Sequence, residues 1–410
     1  MIKYSDKQNM SIAKQEYESY EVGQVVAIDK GKTKIGYVSE VIDNKKTGEQ
    51  AYIVTPEKLP KKPTVSDLNK VANVTVLYRG STEPGKGDDW VKDWIKTDLP
   101  VGNQVIGGGQ KMPPAQLKSA AQTLDSAMSR YKNATFDIYG HSLGSMNGQY
   151  AISDTKYPDR IHAAYLYEGP NIHSVLNDKQ QRTAETLKNR IFNYIDDKDY
   201  IAIGYTNASM VGMLIRIDSK KATGAVDQHM WGGYQFDKSG NIRTATDTKI
   251  KLKMAQTDIV MQDQLKALTS LATKLTKSGG HLSASEQIYL ESSEVLIIVD
   301  GIAKMVESGF SEIIQVCQQA IKETETHWID TLQRAQDVAS HLSYYEVMDA
   351  LTSGGATKAR IVGEPVAYYE EKIAKAEKTK KEYQALVTEI KTGIDSQLSL
   401  DKALAKELQL

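Results

Sequence analysis

Gly140-His141-Ser142-Leu143-Gly144, entered from Thr135-Phe136-Asp137-Ile138-Tyr139, decides how this chain folds. Residues 135–139 carry aromatic and branched side chains after Asn133 and read as a strand. Ser145-Met146-Asn147-Gly148-Gln149-Tyr150-Ala151-Ile152 follows and coils into a helix that packs back through its small residues. A serine between glycines at such a strand-to-helix turn stands clear of the sheet, because the glycines let the backbone bend sharply. A base and a substrate can then both reach its hydroxyl. The motif is short enough to arise as a plain turn; its strand and helix context give it weight. The expectation is an enzyme that forms an acyl-serine intermediate.

Outward from the motif, strands and helices alternate up to about residue 248. Residues 35–42 and 51–55 flank Asp43-Asn44-Lys45-Lys46-Thr47-Gly48 and read as a β-hairpin. Val74-Thr75-Val76-Leu77-Tyr78 is a further strand, and residues 115–131 have helical spacing through Leu117, Ala120, Leu124 and Met128. Ala163-Ala164-Tyr165-Leu166-Tyr167 and Ile191-Phe192-Asn193-Tyr194-Ile195 are strands as well. A last hairpin is expected over 231–242, turning at Asp237-Lys238-Ser239-Gly240. Such alternation predicts a largely parallel sheet with helices on both faces, and a ligand site at the carboxyl ends of its strands. The serine falls there.

From about Lys251 glycine and proline become sparse, and Leu, Ala, Lys, Glu and Gln dominate. Met261, Leu265, Leu268, Leu271 and Leu275 line one helix face, and similar spacing recurs over 295–314 and 383–408. Gly279-Gly280, Gly354-Gly355 and Gly363 with Pro365 punctuate the helices. At 410 residues the chain exceeds one core, so an α/β domain over 1–248 and an elongated helical domain over 249–410 are expected. Acidic and basic residues balance, 52 against 51, and no basic stripe with interleaved aromatics points to nucleic acid. Cys317 is the single cysteine, so there is neither a disulfide framework nor a thiol metal site. His281, His327 and His341 have no metal-ligand spacing, and neither a metal nor a cofactor is expected. The first residues hold no apolar signal region, and no apolar run approaches the roughly 20 residues that span a bilayer.

A serine hydroxyl attacks only when an imidazole takes its proton and a carboxylate holds that imidazole. In α/β-hydrolases the order along the chain is Ser, then Asp or Glu, then His. His162 and His173 come too early for this order, which leaves His229 as the base. Asp196, Asp197 and Asp199 cluster past the strand 191–195, and each is a candidate acid. The oxyanion hole takes one backbone N–H from the residue after the nucleophile, Leu143. The second comes from the loop Arg79-Gly80-Ser81-Thr82 after an earlier strand, with Ser81 as donor.

Leu77-Tyr78-Arg79-Gly80-Ser81, then Asp88-Asp89-Trp90-Val91-Lys92-Asp93, resembles the R-G-S/T and D-W segment of the class 3 lipase family of α/β-hydrolases. The elbow is similar to that family's G-H-S-L-G, and Tyr165-Leu166-Tyr167-Glu168-Gly169-Pro170 to its next strand, with Asn171 where arginine is usual. The resemblance spans about residues 20–245. It implies hydrolysis of acyl esters in lipids, and it favours Asp199, followed by Tyr200-Ile201-Ala202, as the acid of a triad with Ser142 and His229.

The whole chain resembles lipase or phospholipase effectors of Gram-positive type VII secretion, with an LXG-like helical domain placed C-terminally. No literal L-x-G occurs in the tail; Leu351-Thr352-Ser353-Gly354-Gly355 approximates one. This resemblance implies a phospholipid substrate, export without a signal peptide, small helical partner proteins on the tail and an immunity protein. Residues 102–110 and 200–217 are candidates for a lid or acyl entrance. Two alternatives are a soluble carboxylesterase or thioesterase, and a membrane-active helical module with the hydrolase half as scaffold.

Overall fold

The computed structural model describes residues 4–81, 114–202, 204–205 and 209–407. The chain divides into two compact units, Met1–Lys249 and Ile250–Leu410. Among the described residues the first unit builds one sheet from β1 Val25–Ile28, β2 Thr33–Asn44, β3 Glu49–Thr55, β4 Asn73–Tyr78, β5 Thr135–His141, β6 Ile161–Tyr167, β7 Ile191–Ile195 and β8 Met213–Arg216. They lie side by side in chain order. Pairing is antiparallel from β1 to β4. It is parallel from β4 to β8.

Helices α3 Ala115–Arg130, α4 Leu143–Asp154 and α5 Asp178–Thr186 connect the parallel strands. Leu117, Ala120, Leu124 and Met128 on α3 are fully buried in the same cluster as Val74, Val76, Phe136 and Ile138 of the sheet. Each large side chain so buried is worth about 1.5–3 kcal/mol. Successive strand residues face opposite ways, so the alternate positions Tyr139, Tyr165, Tyr167 and Tyr194 make a second, aromatic face. Tyr139 stacks on Tyr165 and Tyr167 on Tyr194, with centroids 5.2 and 4.8 Å apart. Helix α1 Asp6–Ala13 covers this face: Tyr139 Oη donates to Asn9 Oδ1 at 2.9 Å, and Tyr194 Oη to Asp6 Oδ1 at 3.3 Å. The second Asp6 oxygen accepts the Ile242 N–H at 3.0 Å.

Three expectations are corrected. Residues 231–242 do not form a two-stranded hairpin; among the described residues they hold one isolated bridge, Phe236 to Ile242. The turn does fall at 237–240, where Asp237 Oδ1 accepts the N–H groups of Ser239 and Asn241. Two backbone bonds of 2.9 Å flank the bridge, from Asp237 to Asn241 and from Arg243 to Gln235, too few to make strands reaching back to Trp231. Within 200–217, Met213–Arg216 is the strand β8, not lid or entrance, and Gly212 at φ +77° lets it close on Ile191, where a Cβ would come within 2.5 Å. Gly363 and Pro365 do not separate two helices. The π-helical turn Ala359–Gly363 runs straight into the next helix, the Glu364 N–H bonding back to the Ala359 carbonyl, and such a widened turn is where a helix takes up a residue like Pro365 that has no N–H to give. Residues 88–93 and 102–110 lie outside the described residues.

The first unit also holds the short helices α2 Val65–Asn69 and α6 Ala225–His229. The second unit is helical, with α7 Thr246–Gly279 from Ile250 onward, α8 Ala284–Val338, α9 Tyr344–Ser353 and α10 Glu364–Glu407. Polar pairs fix α8 against α10 in antiparallel register: Ser285 with Asp401, Asp300 with Lys391, and Ser311 with Lys380. Gly301 admits Met261 of α7, whose Sδ would lie 2.5 Å from a Cβ there. Among the described residues no helix is long and apolar enough to cross a membrane.

Candidate active site

Strand β5 ends one residue before Ser142 and α4 begins one residue after it. Ser142 itself sits at φ 55°, ψ −123°, a strained conformation for a non-glycine residue. Its neighbours allow this. A Cβ on Gly140 would meet the Gly144 carbonyl oxygen at 2.4 Å, and one on Gly144 would meet the Tyr78 oxygen at 2.1 Å. Only glycine lets α4 turn back so closely on β4 and β5. The Ser142 N–H donates to the Tyr167 carbonyl at 2.9 Å, locking the turn to β6.

Asp199 and His229 form a buried pair, Oδ2 to Nδ1 at 2.7 Å, each side chain only 2% exposed. The other Asp199 oxygen accepts the Ile201 N–H at 3.0 Å. The neighbouring acids are engaged elsewhere: Asp196 accepts from Ser219 Oγ at 2.6 Å and from Gln228, and Asp197 pairs with Arg216 at the surface. Glu168, fully buried at φ +48°, accepts from Tyr234 Oη and from the Asp196 N–H at 3.0 Å. Burial, then the nearby Asp199 charge, pushes its carboxyl well above the ordinary range.

His141 joins the elbow to His229. Its Nε2 lies 2.8 Å from the His229 carbonyl oxygen and its Nδ1 2.7 Å from Tyr17 Oη. A carbonyl only accepts, so Nε2 carries the proton and Nδ1 accepts from the phenol. The His141 ring lies 4.6 Å from the His229 ring and 3.9 Å from that of Trp231. The serine's preceding residue and the candidate base are therefore in contact. Burial first, then the His229 and Lys14 charges, hold His141 well below the usual imidazole range, so the folded state keeps it neutral.

That shift has a pH signature. Unfolded histidine takes a proton below about pH 6.5 while folded His141 does not, so its contribution to stability is present above that pH and is lost as pH falls. Wild type minus His141→Gln should show an extra loss of up to about 1.4 kcal/mol per pH unit between pH 6.5 and 5. Glu16 and Glu168, both raised by burial, work in the opposite sense in both proteins. Parallel slopes in urea titrations across that range would refute this.

The Arg79-Gly80-Ser81 loop, after β4, lies against the elbow: a Cβ on Gly80 would stand 2.9 Å from the His141 carbonyl oxygen. Arg79 is tied back by its N–H to the Gln50 carbonyl at 2.9 Å. Leu143 opens α4, where the first backbone N–H groups have no helical acceptor. The predicted donors Leu143 and Ser81 thus sit on two backbone segments in direct contact. His162 pairs with Asp137 at 2.6 Å, on the sheet. Among the described residues no group of three or more His, Cys, Asp or Glu is placed to hold a metal ion. Sequence reasoning missed Glu16, Tyr17, Glu168 and Trp231; only the positive φ that Glu168 and Trp231 share with Ser142 marks them, and it is invisible in sequence.

No family model and no curated protein matches the chain. Among solved structures it is similar to the Lip2 lipase from Yarrowia lipolytica, with 10% identity and a TM-score of 0.32 over 53% of this chain and 79% of that one. A triacylglycerol lipase from Penicillium expansum is 12% identical, with a TM-score of 0.32 over 54% of this chain and 84% of that one. A fungal lipase from a lipase–inhibitor complex is 12% identical, with a TM-score of 0.30 over 52% of this chain and 79% of that one.

Proposed function

We propose that the first unit is a serine hydrolase of carboxylic esters, an α/β-hydrolase of the class 3 lipase kind acting on acyl chains of lipids. The observation that carries this is the buried Asp199–His229 pair packed, through His141, onto the strained turn that bears Ser142. With Nδ1 committed to Asp199, Nε2 of His229 is the nitrogen that takes a proton. Ser142 Oγ adds to the ester carbonyl as its proton passes to His229, and the carbonyl electrons move onto oxygen. Backbone N–H groups of Leu143 and Ser81 stabilise that oxyanion. Collapse expels the alcohol with the proton from His229. Water, activated by the same imidazole, then releases the fatty acid and restores the serine.

The helical unit is the region we assign to export and to small helical partner proteins, in keeping with a type VII effector that meets phospholipid outside the producing cell. Exposed Ile313, Ile329 and Tyr345 support a surface that meets other helices. An immunity protein belongs to the same proposal. Mass spectrometry of the full chain on phospholipid vesicles and triacylglycerol emulsions tests the substrate class. Free long-chain fatty acid is the expected product; turnover of short p-nitrophenyl esters alone would make the protein a soluble esterase instead.

A further inference from the structure

Glu16 is fully buried in the 3-10 turn Lys14–Tyr17, which follows α1. Its Oε1 accepts the Gly80 N–H at 3.0 Å. Its two oxygens accept the His141 N–H at 3.2 and 3.1 Å. One carboxylate therefore holds two peptide units that are remote in sequence. Gly80 directly precedes Ser81, and His141 directly precedes Ser142. The same turn adds two ties: Tyr17 Oη reaches His141 Nδ1 at 2.7 Å, and the Tyr17 carbonyl accepts from Arg79 Nη2 at 3.2 Å. A Cβ on Gly80 would run into Tyr17 Oη at 2.2 Å, so loop, turn and elbow are packed to backbone contact.

An oxyanion hole works only if its donors keep a fixed place relative to the attacking oxygen, and an error near 1 Å can cost about a hundredfold in rate. One buried side chain that accepts from both backbone segments, in a turn already packed against them, is suited to hold such a spacing. Resting on the serine-hydrolase reading above, we propose that Glu16 is a positioning residue: it sets the distance between the Ser81 donor and Ser142 and so fixes the geometry of the oxyanion hole. It touches neither substrate nor reacting atoms.

Glu16→Met keeps about the size but removes both acceptor oxygens, so neither the Gly80 nor the His141 N–H retains its partner. The full chain and the variant are titrated with a fluorophosphonate, which counts reactive Ser142, and kcat is expressed per titrated serine. The expected result is a fall of about 10- to 100-fold in kcat per titrated site, with KM within about twofold. A boronic acid, whose adduct presents an oxyanion, should bind more weakly by the same factor. A purely structural role would lower the melting temperature and the titrated fraction while leaving kcat per site unchanged, and that outcome overturns the proposal. If Glu16→Met folds poorly, Glu16→Asp, whose arm is one methylene too short to bring an oxygen to both N–H groups, is read the same way. A wild-type chain that is not labelled at Ser142 removes the hydrolase reading itself; a labelled wild type with an equally fast variant removes only the role of Glu16.

Discussion

Ser142→Ala is expected to lower kcat/KM for ester hydrolysis by about 10⁴- to 10⁶-fold while the fold persists. The variant deletes the attacking oxygen and leaves the oxyanion donors and the Asp199–His229 pair in place. Alanine meets the same strain at φ 55°, ψ −123° that serine does, so the backbone cost is unchanged. Among the described residues Ser142 Oγ makes no hydrogen bond, and no large stability change should follow. Near-equal melting curves beside lost fatty-acid release is the outcome required. Activity above about one per cent of wild type, an amount a triad lacking its nucleophile does not retain, would remove Ser142 from the chemistry.

The second largest effect belongs to Asp199→Asn, with kcat falling about 10⁴-fold and KM little changed. The amide can donate to Nδ1 of His229, which shifts the imidazole proton to Nε2, the nitrogen that must accept from the serine. Size and the bond from the Ile201 N–H are kept, so the loss is one of tautomer rather than of fold. Because Asp199 also raises Glu168, the variant should let Glu168 ionise more readily. Steady-state kinetics with a soluble ester, beside the corresponding Asp196→Asn variant, decides the assignment. A greater loss from Asp196→Asn would transfer the role to Asp196.

Much of the first unit is legible in sequence where the signal is local. The strands 74–78, 135–139, 163–167 and 191–195 carry their own apolar runs, and α3 its own periodicity. The elbow is legible because strand, glycine-flanked serine and helix follow one another directly in the chain, although the contact that demands Gly144 comes from distant Tyr78. Other parts depend on distant groups. Helix α1 reads Asp-Lys-Gln-Asn-Met-Ser-Ile-Ala, a polar surface segment by composition, yet Asp6 and Asn9 are buried because tyrosine hydroxyls of the sheet's second face bond to them. Four-residue β8 is too short to announce itself and is made by pairing with β7. The three acids after β7 differ only in what the fold brings to each: His229, Ser219 with Gln228, or Arg216. Glu16 has no sequence motif at all.

The fastening of α1 has a consequence for how the protein is made. Asp6 is anchored by the N–H of Ile242, and Lys7 by the Gly240 carbonyl. A nascent chain leaves the ribosome N-terminus first, so these two anchors of α1 form only after more than 230 further residues, as the 236-residue span from Asp6 to Ile242 measures, have emerged. The turn carrying Glu16 is attached to that helix. A chain stopped before residue 240 therefore already carries Ser142 but lacks both ties of the helix that leads into the Glu16 turn.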